Sequence, residues 1–173
     1  MTTTPDTQPK HVLPTHGRTY RARGFLCTFK LLASDTNGAF TLSEASNAPN
    51  TGVPPHIQHL EDEAFIVLEG SYTFQVGDQS MQCGPGEVIY VPRGVPHALA
   101  NTGTEPARML ILQAPGGIHE QYFAEAWEPI EDPSHLPPEG GPPDFGKIKA
   151  AAQRHGIEMV PPPAHSSRIA DDG

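Results

Sequence analysis

The stretch Gly52-Val53-Pro54-Pro55-His56-Ile57-Gln58-His59-Leu60-Glu61-Asp62-Glu63-Ala64-Phe65-Ile66-Val67-Leu68-Glu69-Gly70 carries donor side chains along one strand and across the hairpin that follows it. Residues two apart on a strand share a face and lie about 6–7 Å apart, so His56 and Gln58 point the same way. Glu63 returns toward that face on the next strand after the Leu60-Glu61-Asp62 connection. A second stretch, Gly86-Glu87-Val88-Ile89-Tyr90-Val91-Pro92-Arg93-Gly94-Val95-Pro96-His97-Ala98-Leu99-Ala100-Asn101, reads as strand, rigid Pro-Arg-Gly turn and strand, with His97 at the start of the latter. Two imidazoles and one carboxylate on separate strands make a 2-His-1-carboxylate set, with positions left open for substrate, oxygen or water. Gln58 is a fourth, neutral oxygen donor or a hydrogen-bonding neighbour. His59 sits one residue out of phase and reaches the site, as a substitute for Gln58, only where a bulge or strand end re-aims it.

These two stretches resemble the two signatures of the cupin family. Gly86, Pro92, Gly94, His97 and Asn101 occupy every defining position of the second signature. The first is matched at His56, Glu63 and Gly70, with Gln58 standing where the family pattern has its second histidine. The resemblance runs from about Phe25 to Phe123 and implies an all-β fold, the double-stranded β-helix or jelly-roll barrel of cupins, with helices C-terminal to it. It also implies one divalent metal held by His56, Gln58, Glu63 and His97. With one imidazole missing and no soft ligands, Fe, Mn or Ni is expected over Zn or Cu. Family likeness further implies a homodimer.

Outward from the two stretches, alternation continues. Phe25, Cys27, Phe29 and Leu31 recur at period two, Phe40 and Leu42 repeat the pattern over Ala39 to Ser46, and Tyr72, Phe74 and Val76 follow Gly70. Ala64 to Leu68 is apolar on both faces, as in a central covered strand or a subunit contact. Gly77-Asp78-Gln79 is a hairpin turn. Gly117 to Trp127 has helical spacing at Ile118, Tyr122, Phe123, Ala126 and Trp127, suited to covering one end of a barrel. From Glu128 to Pro142, closely set prolines forbid a regular element. Phe145, Ile148 and Ala152 mark the buried stripe of a last helix, begun by Pro143 and Asp144 and ended by Gly156, and Ile157 to Val160 reads as an edge strand. The expected organisation is an arm over 1–12, a barrel with capping helix over 13–127, a linker, helix and edge strand over 128–160, and a disordered tail over 161–173.

A chain of 173 residues suits one domain with a real core. Its formal charge of −9, with Lys and Arg scattered, argues against nucleic acid and anionic membranes as partners. Cys27 and Cys83 lie in no paired spacing and read as core residues. Without a signal-like or membrane-length apolar segment, a soluble cytoplasmic protein is the expectation.

If Glu63 faces inward, Phe65 and Val67 follow it, Leu99 follows His97, and Tyr72, Phe74 and Ile111 join from neighbouring strands. The resulting substrate pocket is apolar with one polar floor, fitted to a flat aromatic, flavonol-like or polyketide-like molecule bearing an enol or phenol. The likeness to quercetinase-like cupins implies a dioxygenase that takes O2 as co-substrate, with Glu63 as the catalytic base. The alternatives are a non-oxidative metal-dependent cyclase, isomerase or decarboxylase, and a small-molecule-binding cupin that turns nothing over. Among the remaining polar residues, Glu61 and Asp62 read as surface charges, Arg93 as a solvated turn residue, Asn101 as a turn-closing side chain, and His119, on the capping helix, as an exposed helical histidine or one facing the barrel mouth. His11, His16, His135, His155 and His165 join no constellation.

Overall fold

The computed structural model describes residues 8–22, 24–131 and 144–161. Among the described residues, twelve strands and two helices follow one another as β1 (Arg18–Ala22), β2 (Phe25–Leu31), β3 (Thr41–Asn47), β4 (Gly52–Gln58), β5 (Asp62–Glu69), β6 (Tyr72–Val76), β7 (Gln79–Cys83), β8 (Val88–Val91), β9 (His97–Asn101), β10 (Ala107–Ala114), α1 (Ile118–Ala126), β11 (Glu128–Ile130), α2 (Phe145–Arg154) and β12 (Ile157–Met159). They form a seven-stranded sheet, β11-β1-β2-β3-β10-β5-β8, and a five-stranded sheet, β12-β4-β9-β6-β7. All pairings are antiparallel. This is the all-β jelly roll with C-terminal helices.

Register stacks the inward residues in layers. One layer joins Thr41, Gln113 and Glu63 across β3, β10 and β5, with His56 and His97 paired on the other sheet. The next joins Ser43, Ile111 and Phe65, with Leu99 opposite Phe74. A third holds Ala45, Met109 and Val67, with Asn101 opposite Tyr72. The interior thus runs from polar, through an apolar centre, to a second polar level at Asn47 and Asn101. Cys27 and Cys83 are free thiols in the core, and burial pushes the Cys27 thiol up to about 12.

Local chemistry explains the turns. Val76 pairs with Gln79 across Gly77-Asp78, and Gly77 takes φ +54° as this two-residue hairpin loop requires. Asp144 caps α2 by accepting from the Lys147 amide, and Gly156 leaves the helix at φ +70°. β12 then pairs with β4, Ile157 lying opposite Gln58.

Three expectations are corrected. On β3 the buried residues are Thr41, Ser43, Ala45 and Asn47, while Phe40 and Leu42 turn outward. Their apolar character misled because the wall beside the polar layer is built from small polar side chains. Within the stretch expected to lack any element, Glu128–Ile130 forms a short strand on β1. Pro129 is tolerated because β11 is an edge strand with no further neighbour to donate to. Phe145, expected in the buried stripe, is 72% exposed, and Ala151 with Ala152 buries α2 instead. On β5 only Glu63, Phe65 and Val67 are buried, and Ala64, Ile66 and Leu68 form a half-buried outer row beside the exposed Val88 and Tyr90 of edge strand β8. Pro143, His135, His165 and nearly all of the expected tail lie outside the described residues, as do the first seven residues of the arm.

Candidate metal centre

Strand parity brings His56 and Gln58 of β4 to the interior, and both are buried. The Pro54-Pro55 irregularity in the β4–β9 ladder sets His56 directly against His97, with ring centroids 4.2 Å apart. The Pro-Arg-Gly turn is tied to the same strand, since the Gly94 amide donates to the Gln58 carbonyl at 2.7 Å. Arg93 binds Asp62 through Nε and Nη2, so it braces the turn from outside. Glu63 enters from β5, and one oxygen or ring nitrogen from each of His56, Glu63 and His97 lies within 4.8 Å of the others.

The tautomers are set by backbone carbonyls. His56 Nδ1 lies 3.0 Å from the Pro54 carbonyl and His97 Nδ1 lies 3.1 Å from that of Val95. A carbonyl only accepts, so both Nδ1 atoms carry the proton and both Nε2 lone pairs are free for a cation. Burial, reinforced by His97, pushes His56 down to about 4, which keeps it neutral at pH 7. For Glu63, burial pushes upward, but His97, His119 and His56 outweigh it and hold the carboxyl below its ordinary value.

His97 Nε2 and Glu63 Oε2 approach to 2.9 Å, yet neither makes a hydrogen bond of acceptable angle. Two buried donors side by side but not aimed at each other fit ligands of one ion better than a bonded pair. Adjacent ligands of an octahedral ion with bonds of ~2.1 Å stand about 3 Å apart. The Gln58 amide oxygen is likewise buried and unpartnered, while its Nε2 lies 3.4 Å from His119 Nδ1. The donor set therefore fits a divalent cation.

His59 points away from this group and meets Glu158 of β12 at 2.8 Å on the surface. Glu61, read as a surface charge, is corrected, and His119 takes the inward of its two readings: Glu61 is 0% exposed and its Oε1 lies 2.9 Å from His119 Nδ1. Burial disfavours the His119 cation, but Glu61 and Glu63 outweigh this and raise its affinity for a proton. Glu61, Glu63 and His119 form a second compact group adjoining the first through Glu63. Phe65, Val67, Tyr72, Phe74, Leu99 and Ile111 all face inward, packed in the core. Of these six, only Phe65 packs against a site histidine, with its ring 6.0 Å from that of His97. Asn101 closes a turn as expected, donating to the Asn47 and Glu105 carbonyls and accepting from the Gly103 amide. Gln113, buried beside Glu63, is a residue that alternation along β10 could have brought to notice.

Residues 45–112 match the family described as Cupin domain. The matched segment runs from within β3 to within β10 and contains His56, Gln58, Glu63 and His97. Among particular relatives, the chain is 28% identical over 116 residues to the tetracenomycin polyketide synthase protein TcmJ of Streptomyces glaucescens, covering 66% of this chain and 78% of that one. The structure of KdgF from Halomonas sp. superposes with a TM-score of 0.57 at 12% identity, covering 64% of this chain and 96% of that one. A protein described as a predicted oxalate decarboxylase from Thermotoga maritima gives 0.56 at 19%, covering 61% and 99%. At these identities the two solved structures bear on the fold alone.

Proposed function

We propose that this chain is a metal-dependent enzyme acting on an enolisable, polyketide-like small molecule, with proton transfer rather than oxidation as its chemistry. The observation that carries the reading is the adjacency of two groups: His56, Glu63 and His97 converging as donors, and Glu61 paired to His119 beside them. A divalent cation at the first group would supply Lewis-acid polarisation of a substrate oxygen. His56, His97 and Glu63 would hold it, with the Gln58 oxygen as the fourth donor. His119 Nδ1 and Glu61 Oε1 share a proton position at 2.9 Å, so this pair can take a proton from a carbon next to a carbonyl and return it elsewhere. Ring closure, isomerisation and dehydration all need both a base and an acid. TcmJ is by its name a polyketide synthase protein, which supports the substrate class.

The second reading is the dioxygenase, favoured by the 2-His-1-carboxylate set itself, which leaves room for O2 on iron-like metals. Elemental analysis of purified protein, followed by turnover of enolisable aromatic substrates with and without oxygen, separates the readings. Turnover that persists under strict exclusion of oxygen is expected. Activity that requires oxygen and consumes it stoichiometrically would install the dioxygenase, and no divalent metal in any preparation would remove both.

A further inference from the structure

Gln113 closes the inward row of β10 at 0% exposure, directly across from Glu63 on β5 and Thr41 on β3. Both its amide oxygen and its amide nitrogen are buried without a hydrogen-bond partner. Of the ten buried side-chain atoms left unpartnered among the described residues, six belong to Gln58, Glu61, Glu63, His97 and Gln113. Gln113 differs from the other four in offering a donor and an acceptor together. An amide in this position is costly to the fold unless something else bonds to it.

We propose that Gln113 is a specificity-determining residue that reads the ligand's keto–enol edge beside the metal centre. The proposal rests on the reading of that centre given above. A primary amide presents one acceptor and two donors in one plane. A ligand carbonyl beside an enol or phenol hydroxyl satisfies both kinds: the amide nitrogen donates to the carbonyl and the hydroxyl donates to the amide oxygen. A carboxylate ligand would offer no donor and would meet Glu63 and Glu61. The preferred class is therefore an uncharged hydroxy-ketone with its two oxygens on adjacent or peri positions. Such a site rejects an analogue lacking the hydroxyl, because the buried amide oxygen would then stay unbonded.

Metal-supplemented full chain is titrated with 3-hydroxyflavone and 1-hydroxyanthraquinone by fluorescence, with flavone as the analogue lacking the hydroxyl, against Gln113→Met and Gln113→Glu. Wild type is expected to bind at least one hydroxy-ketone and to discriminate against flavone. Gln113→Met should bind about tenfold or more weakly with unchanged metal content and a melting temperature equal to or above wild type, because it removes two unpartnered atoms at nearly constant volume. Gln113→Glu, which keeps acceptors and loses the donors, should also weaken binding. Unaltered affinity in Gln113→Met, or a lowered melting temperature, would assign the amide to the fold or to buried water and overturn the proposal. A metal-loaded wild type that binds neither hydroxy-ketone would instead strike at the proposed function and take this inference with it.

Discussion

The two polar levels of the barrel interior are built from similar residues and reach opposite ends. At one, Asn101 uses its whole amide: two carbonyls accept from it and the Gly103 amide donates to it, while Tyr72 donates its hydroxyl to Asn47, whose Nδ2 is left unbonded. At the other, Gln58, Glu61, Glu63, His97 and Gln113 each keep at least one buried atom unbonded. Near-saturation marks a level whose task is to hold the chain together. Open valence marks one kept for something that is not protein, since a fold alone gains nothing from buried donors without partners.

The comparison can be broken most directly by exchanging the consequences of mutation. His97→Ala is expected to lower metal affinity at least about 100-fold, since removing even an outer partner of a ligand costs 10–100-fold, while Asn101→Ala should leave metal content untouched. Equilibrium dialysis with elemental analysis of both proteins decides. Asn101→Ala should in turn destabilise the chain by about 3 kcal/mol, because three backbone groups, the Asn47 carbonyl among them buried, lose their partner at once, as read by urea unfolding. Should Asn101→Ala strip the metal, the two levels are not separate.

A pH series sharpens the contrast. The His56 pKa, about 4 in the folded chain against an ordinary 6.5, means the unfolded chain binds the extra proton between those values. Stability from His56 is therefore complete above pH 6.5 and lost as pH falls toward 4, on the order of 3 kcal/mol in all. His119 has the opposite sign: its contribution is complete below the ordinary imidazole value and disappears as pH rises through its elevated folded value. Metal-free protein should thus lose stability on the acid side, and His56→Gln should flatten that limb. A flat acid limb in wild type would contradict the neutral, buried imidazole. Adding metal to 100 times its Kd should raise stability by about 2.7 kcal/mol, and a chelator should reverse it. Gln58→His should shift preference toward Zn and Cu by roughly tenfold, about 1.4 kcal/mol. The smallest effect belongs to the surface: Tyr90→Lys at an exposed position of edge strand β8 should change stability by under about 0.5 kcal/mol in the same urea unfolding.

Alternation and turn chemistry made much of this legible. His56, Gln58, Glu63 and His97 could be brought to one face by counting in twos, and Gly77-Asp78 announces its hairpin. Three features resisted for physical reasons. Glu61 sits in a short connection that reads as solvent-exposed, and its partner His119 lies 58 residues away on α1, so only the helix's return over the barrel buries the pair. Thr41, Ser43 and Asn47 line the interior although Phe40 and Leu42 between and beside them are greasier, because the parity of β3 rather than hydropathy decides which of its side chains turn inward. Gln113 gains its meaning from lateral register with Glu63, which no single strand discloses.

The pairing of β12 with β4 couples the carboxyl-terminal end of the described chain to the strand bearing two of the candidate donors. Met159 lies against His56 and Ile157 against Gln58, and α1 is clasped to α2 where Glu125 meets Arg154 and His155. Trimming the protein after the barrel to obtain a tidier sample would therefore unzip one margin of His56 and Gln58's strand. An affinity handle is better attached at the opposite terminus.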